Sequence, residues 1–185
     1  MFDSLLIEHC SPTLAGLKTA NLFGLACSNG QDISKHVRQW DTRLNARGVQ
    51  CRQLYRNKNR ALVLVYRPNR LANDLQRPGV AAFLSPLGYD CNDLNGALRH
   101  LGGRIAQVGD FPHEIGLFLG YPLHDVTGFI ENEGRNCRCC GCWKVYGDEQ
   151  EAKRMFCKFQ KCRQVYKKLF RAGRSVLQLT TAVKI

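Results

Sequence analysis

No part of this chain is apolar for long. The longest unbroken apolar run covers residues 61–66, far short of the roughly 20 residues that a bilayer-crossing helix needs. A membrane span is therefore not expected. The opening Met1-Phe2-Asp3-Ser4 has no basic segment ahead of an apolar one, so no secretory signal is read there. Low-complexity tracts and long linkers are missing too, which excludes a disordered chain. Neither Gly-x-Gly-x-x-Gly nor Gly-x₄-Gly-Lys-Ser/Thr occurs, and there is no Gly-x-Ser-x-Gly and no His-Glu-x-x-His. The sequence marks of phosphate loops, α/β-hydrolase elbows and zinc metalloproteases are thus absent. Acids are scarce: 15 Asp and Glu stand against 27 Lys and Arg, for a net charge of +12.

The basic excess sits late in the chain. Residues 151–185 hold ten Lys and Arg and one acid, Glu151. Such a face attracts nucleic acid, anionic lipid or an acidic partner, or is simply a solvated helix side. Cysteine is the other abundance, with ten residues. In the absence of a secretory signal these point to a reducing cytoplasm rather than to a disulfide framework. At 185 residues and 44% hydrophobic, the chain is long enough for one domain with a sizeable core.

Periodicity predicts an α+β fold: one domain over 1–185, with a small, largely antiparallel sheet covered by helices. Residues 2–9 read as a short helix, interrupted at Ser11-Pro12, with a second short helix from Pro12 to Gly16. Residues 21–26 form a weak strand. A helix runs from Asp32 to Gly48, with Ile33, Val37, Trp40 and Leu44 on one face. Residues 49–55 and 60–67 pair as a hairpin whose second strand, apolar on both faces, is central. Helices follow over 69–76 and 78–87. Another is capped by Asp90, with Leu94, Leu98 and Leu101 on one face, and closes at Gly102-Gly103. Prolines 112 and 122 each start a helix. Residues 142–146 form a strand, 149–171 the longest helix, and 176–183 a last strand. The long helix carries a wide apolar stripe from Ala152 to Phe170 that should be fully used in packing.

Several strings stand out together: His9-Cys10-Ser11-Pro12-Thr13-Leu14-Ala15-Gly16-Leu17-Lys18, Pro112-His113-Glu114-Ile115-Gly116-Leu117-Phe118-Leu119-Gly120-Tyr121-Pro122-Leu123, Asp125-Val126-Thr127-Gly128-Phe129-Ile130 and Trp143-Lys144-Val145-Tyr146. The chain resembles a family of uncharacterised bacterial proteins frequent in anaerobic Firmicutes and Clostridia, a domain of unknown function. The resemblance spans nearly the whole chain. It implies one complete domain in a bacterial cytosol and brings no activity, cofactor or catalytic residue with it.

Chemistry must come from the residues. Phe111-Pro112-His113-Glu114-Ile115 and Tyr121-Pro122-Leu123-His124-Asp125-Val126 share a layout of aromatic, proline, His-acid and aliphatic residue. Proline in the first helical turn places both acids where exposed N–H groups favour a carboxylate, and keeps an adjacent imidazole neutral, as a general base requires. The plain alternative is two well-capped helices. Cys10, read at the start of the second short helix, would have a lowered pKa and act as nucleophile or redox thiol. His113 or His124 would be its base, oriented by Glu114 or Asp125, and Lys18 and Lys144 would bind an anion. The plain alternative is a buried cysteine. Cys137, Cys139, Cys140 and Cys142 could ligate a soft metal, zinc or an iron–sulfur cluster. No second half-site is visible, however, so no cofactor is the leading expectation. The leading function is a thiol-centred site. Its rivals are a binding module whose basic C-terminal helix meets an acidic partner or binds nucleic acid weakly, and a metal carrier.

Overall fold

Asn57 makes the first turn of the sheet. Its side chain accepts from the backbone N–H of Asn59 and of Arg60, an Asx turn that joins β2 (Gln50–Arg56) to β3 (Arg60–Tyr66). β1 (Ala20–Ala26) pairs antiparallel with the other side of β3, giving the order β1-β3-β2. β3 is therefore central, as its apolar run predicts. Its residues alternate between two cores: Leu62, Leu64 and Tyr66 enter one, and Ala61, Val63 and Val65 the other. A bulge at Leu54 shifts the register of β2, and Leu54 and Tyr55 both reach the first core.

The computed structural model describes residues 2–27, 33–108 and 111–182. Helices cover both faces of the sheet, and the fold is α+β. On one face lie α1 (Phe2–Leu14), α2 (Ile33–Asn45) and α9 (Val176–Leu179). On the other lie α3 (Pro68–Gln76), α4 (Pro78–Leu84), α5 (Leu94–Val108), α6 (Ile115–Phe118) and α7 (Leu123–Glu131). A two-stranded hairpin, β4 (Cys139–Cys140) with β5 (Lys144–Val145), leads into α8 (Glu149–Arg171). Asp148 caps α8 by accepting from the Glu151 N–H. No helix among the described residues is long and apolar enough to cross a membrane.

The departures from the sequence reading have local causes. α1 does not break at Ser11-Pro12. It runs on to Leu14, with Pro12 inside it and the Ser11 hydroxyl donating to the Ile7 carbonyl. Its end is held by Arg67, 6% exposed, which donates to the carbonyls of Thr13, Leu14 and Thr181. A guanidinium on orphan helix carbonyls supplies what a basic residue in the last turn would. α5 starts at Leu94 rather than at Asp90, whose carboxylate instead accepts from the Asn92 N–H in a turn. The C-terminal segment is the short helix α9, not a strand. Ser175 and Gln178 form a capping box there. The Asp32 start of α2 and the end of the expected last strand, Val183, fall outside the described residues.

Gly102-Gly103 does not end α5. A Cβ on Gly102 would lie 2.5 Å from the Leu54 carbonyl oxygen, so glycine here lets α5 press onto the bulge of β2. Gly103 faces open space. The two glycines should therefore respond with opposite sign. Gly102→Ala should cost about 1–3 kcal/mol as overpacking against backbone. Gly103→Ala should stabilise by about 0.5–1 kcal/mol, because alanine is the better helix former. Urea unfolding of both variants checks this, and a shared sign would refute the assigned contact.

Candidate binding site

The hairpin β4–β5 is too short to hold itself, and Asp125 anchors it. This carboxylate, 3% exposed at the start of α7, accepts from Trp143 Nε1 at 2.7 Å, from the Tyr146 N–H at 2.7 Å and from the Gly147 N–H at 2.8 Å. Gly128, one turn further along α7, lets the helix lie against Tyr146, since a Cβ there would sit 2.6 Å from the Tyr146 Cβ. Trp143 is thereby fixed in place and stacks on Tyr121, ring centroids 4.8 Å apart.

This arrangement leaves a cavity of about 440 Å³ that opens to solvent between α6, α7, β1 and the hairpin. Its walls are the rings of Phe111, Tyr121, Phe129 and Trp143 with Leu22, Ile115, Leu119 and Val126. Polar groups sit at its edge. His113 is exposed and lies against Phe129, centroids 5.1 Å apart. Lys144 donates to the Gly134 carbonyl at 2.6 Å and stands over the Phe129 ring at 5.7 Å. Cys140 is exposed at the rim.

A second recess, about 680 Å³, shares Leu22, Leu119 and Tyr121 with the first and has a different character. It is bounded by Glu8 and His9 in the middle of α1, Lys18, the hairpin turn and α8. Lys18 is 6% exposed, with its ammonium 5.0 Å from the centre of the Tyr121 ring. Burial, with Arg163 adding repulsion, lowers its pKa to about 8. Burial raises that of Tyr121 to about 12.

The structure does not assemble the thiol–histidine site. Cys10 is not at a helix start: it lies within unbroken α1, completely buried. Burial, with Cys51 adding to it, pushes its thiol well above the usual range. In this fold Cys10 packs as a core cysteine. Glu114 does not cap α6 with its side chain. It is 4% exposed and accepts from Tyr89 and Arg104, the partner of a buried ion pair rather than of His113. Asp125 is saturated by the hairpin, and His124 Nε2 stands 3.6 Å from it. The two histidines do not share a site: His113 borders the aromatic cavity and His124 packs at Gly147.

The cysteine cluster divides in the same way. Cys140 faces the aromatic cavity, Cys142 the second recess, and Cys139 packs with Trp143 and Val145. Among the described residues no group of three or more His, Cys, Asp or Glu side chains is placed to hold a metal. Cys139 and Cys140, neighbours on β4, point to opposite faces, so the hairpin separates thiols that adjoin in sequence.

A family model described as a protein of unknown function, DUF3793, matches residues 6–180. The chain belongs to this family. No curated protein and no solved structure matches it. Of the residues that build the cavity, Phe111 and Tyr121 belong to the twin aromatic-proline layout. Trp143 and Phe129 were visible only as parts of the quoted strings. Arg163 drew no attention, although it follows Phe159 by four residues on the buried side of α8.

Proposed function

We propose that this protein binds a small, flat, largely apolar molecule in the cavity between α6, α7 and the β4–β5 hairpin. The observation that carries this is a solvent-open cavity walled by four aromatic rings, with few polar side chains in its lining. Ligand sites have this composition: apolar walls for affinity and a few edge groups for orientation. The thiol that borders the cavity is Cys140, not Cys10, with His113 and Lys144 at the same rim. We read the chain as one domain, because both cores are built on opposite faces of the same strand, β3. We place it in the cytoplasm, because its ten cysteines are free and free thiols in this number suit a reducing compartment.

The neutral dye N-phenyl-1-naphthylamine tests the cavity. Its fluorescence should rise on binding, and energy transfer should quench Trp143, whereas Trp40 lies in the core on the other face of the sheet. Cys140→Trp should fill the cavity from its exposed rim and weaken dye binding at least about tenfold, the loss of a few buried methylene equivalents. Cys140→Ala should leave it intact. Equal dye binding by the wild type and Cys140→Trp would remove this reading.

A second reading rests on the outer side of α8. Lys158, Lys161, Lys168 and Arg171 are exposed and form no ion pair among the described residues. The apolar stripe beside them is narrower than its sequence predicts. Ala152, Phe159 and Cys162 are buried, whereas Val165 and Leu169 are 53% and 38% exposed. Four cations on one face support weak polyanion binding without sequence preference, with Kd roughly 10⁻⁴ to 10⁻⁶ M. Affinity for DNA or heparin should drop roughly a hundredfold between about 50 and 200 mM salt. A tight, sequence-selective complex at physiological salt would replace this reading with a dedicated nucleic-acid function.

A further inference from the structure

We propose that the recess beside the aromatic cavity is a binding site for a small oxyanion, a carboxylate or phosphate group held between Lys18 and Arg163. Lys18 is 94% removed from solvent, from its 6% residual exposure, and makes no hydrogen bond or ion pair with its side chain among the described residues. Arg163 Nε is buried in the same wall and likewise has no acceptor. Glu8 is the carboxylate that borders the recess, and it is already held by Lys167 at 3.1 Å. The buried Lys18 ammonium and the buried Nε edge of the half-buried Arg163 thus face one space with no hydrogen-bonding acceptor for either among the described residues.

Such an arrangement is costly for the empty protein. A buried charge is normally paired, and a buried donor normally has an acceptor. Deprotonating Lys18 relieves half of this, and its lowered pKa shows that tendency. Arginine offers no such escape: the guanidinium stays charged, and its Nε–H still lacks an acceptor. An oxyanion supplies both missing elements at once, negative charge for the pair and lone pairs for Nε–H and the ammonium. Asn21 and Gln160 also line the recess, next to the two cations. The site stands independently of the aromatic cavity. Its cations come from the segment between α1 and β1 and from α8, and the two spaces have only Leu22, Leu119 and Tyr121 in common.

The test is thermal unfolding at constant ionic strength, with chloride exchanged for inorganic phosphate or for acetate. A ligand that binds only the folded state raises Tm with a saturable dependence on its concentration. The wild type should show this for at least one of the two anions, and the one that saturates first names the class. Lys18→Met and Arg163→Gln should each shift half-saturation roughly tenfold to a hundredfold higher, the loss of one charge-assisted hydrogen bond. Arg163→Lys, which keeps the charge and loses the Nε–H, should fall between them and the wild type. If Lys18→Met does not fold, the two Arg163 variants carry the test. Lys158→Met, on the outer side of α8, should match the wild type. The proposal is overturned if neither anion gives a saturable response up to about 50 mM, well beyond a millimolar Kd. It is equally overturned if the recess variants respond as the wild type does, or if Lys158→Met loses as much as they do.

Discussion

Asp125→Ala is expected to destabilise the protein by about 3–5 kcal/mol, the cost of breaking a buried, fully hydrogen-bonded charge. Three donors converge on this carboxylate: Trp143 Nε1 and the backbone N–H groups of Tyr146 and Gly147. Alanine leaves all three without their acceptor beneath a hairpin whose strands are only two residues long. For a chain of this size the loss corresponds to a fall in Tm of about 6–20 °C. Asp125→Asn should cost less, about 1–3 kcal/mol. Its oxygen can keep the two backbone donors, while its amide nitrogen confronts Trp143 Nε1, donor against donor. Urea unfolding followed by tryptophan emission gives both values, and dye binding in the cavity should weaken in the same order. A cost below about 1 kcal/mol for alanine would show that the hairpin is held by its apolar contacts and not by Asp125.

The second large effect is a pH dependence carried by Lys18. The unfolded chain keeps this proton up to the ordinary lysine value of 10.5, whereas the folded chain keeps it only up to about 8. Between those values the unfolded state binds more protons, so this group makes stability rise with pH. The full difference is on the order of 3 kcal/mol. Below pH 8 the buried ammonium is a constant penalty, and Lys18→Met should then be more stable than the wild type in buffer free of phosphate and carboxylates. That advantage should shrink by about 2–3 kcal/mol between pH 7.5 and 10. The buried thiols of Cys10 and Cys51 act in the opposite direction. Burial raises both, so their stabilising contribution is full below the unfolded thiol range and is lost as pH rises beyond it. They are present in both proteins, and the difference between wild type and variant isolates Lys18. A difference that stays flat with pH would mean that Lys18 remains charged when buried, and that its cost is met elsewhere in the fold.

Elements governed by local rules were legible. The run 61–66 announced a central strand because only a strand buried on both faces is apolar at every position. The 149–171 helix was legible in its apolar period, and the structure adds the Asp148 cap at its start. Ser175-x-x-Gln178 has the spacing of a capping box, but the apolar residues after it read as a strand. Twin aromatic-proline strings drew the eye to the segment that does build the cavity. The partners of its acids were not legible there, because a carboxylate beside a histidine in sequence carries no mark of what it will bind.

That partner was decided in three dimensions. Glu114 is bound by Arg104 and Tyr89, and Asp125 by a hairpin some twenty positions later. Cys10 reads the same at a helix start or inside one, and only the packing of α1 on the sheet sealed it. Gly102 looked like a stop signal until β2 came within 2.5 Å of where its side chain would be. Local propensities are properties of neighbours along the chain, so periodicity and caps can be read from it. Which buried charge meets which donor depends on segments brought together only by folding, and Lys18 and Arg163, 145 positions apart by their numbers, face one recess because the sheet and α8 place them there.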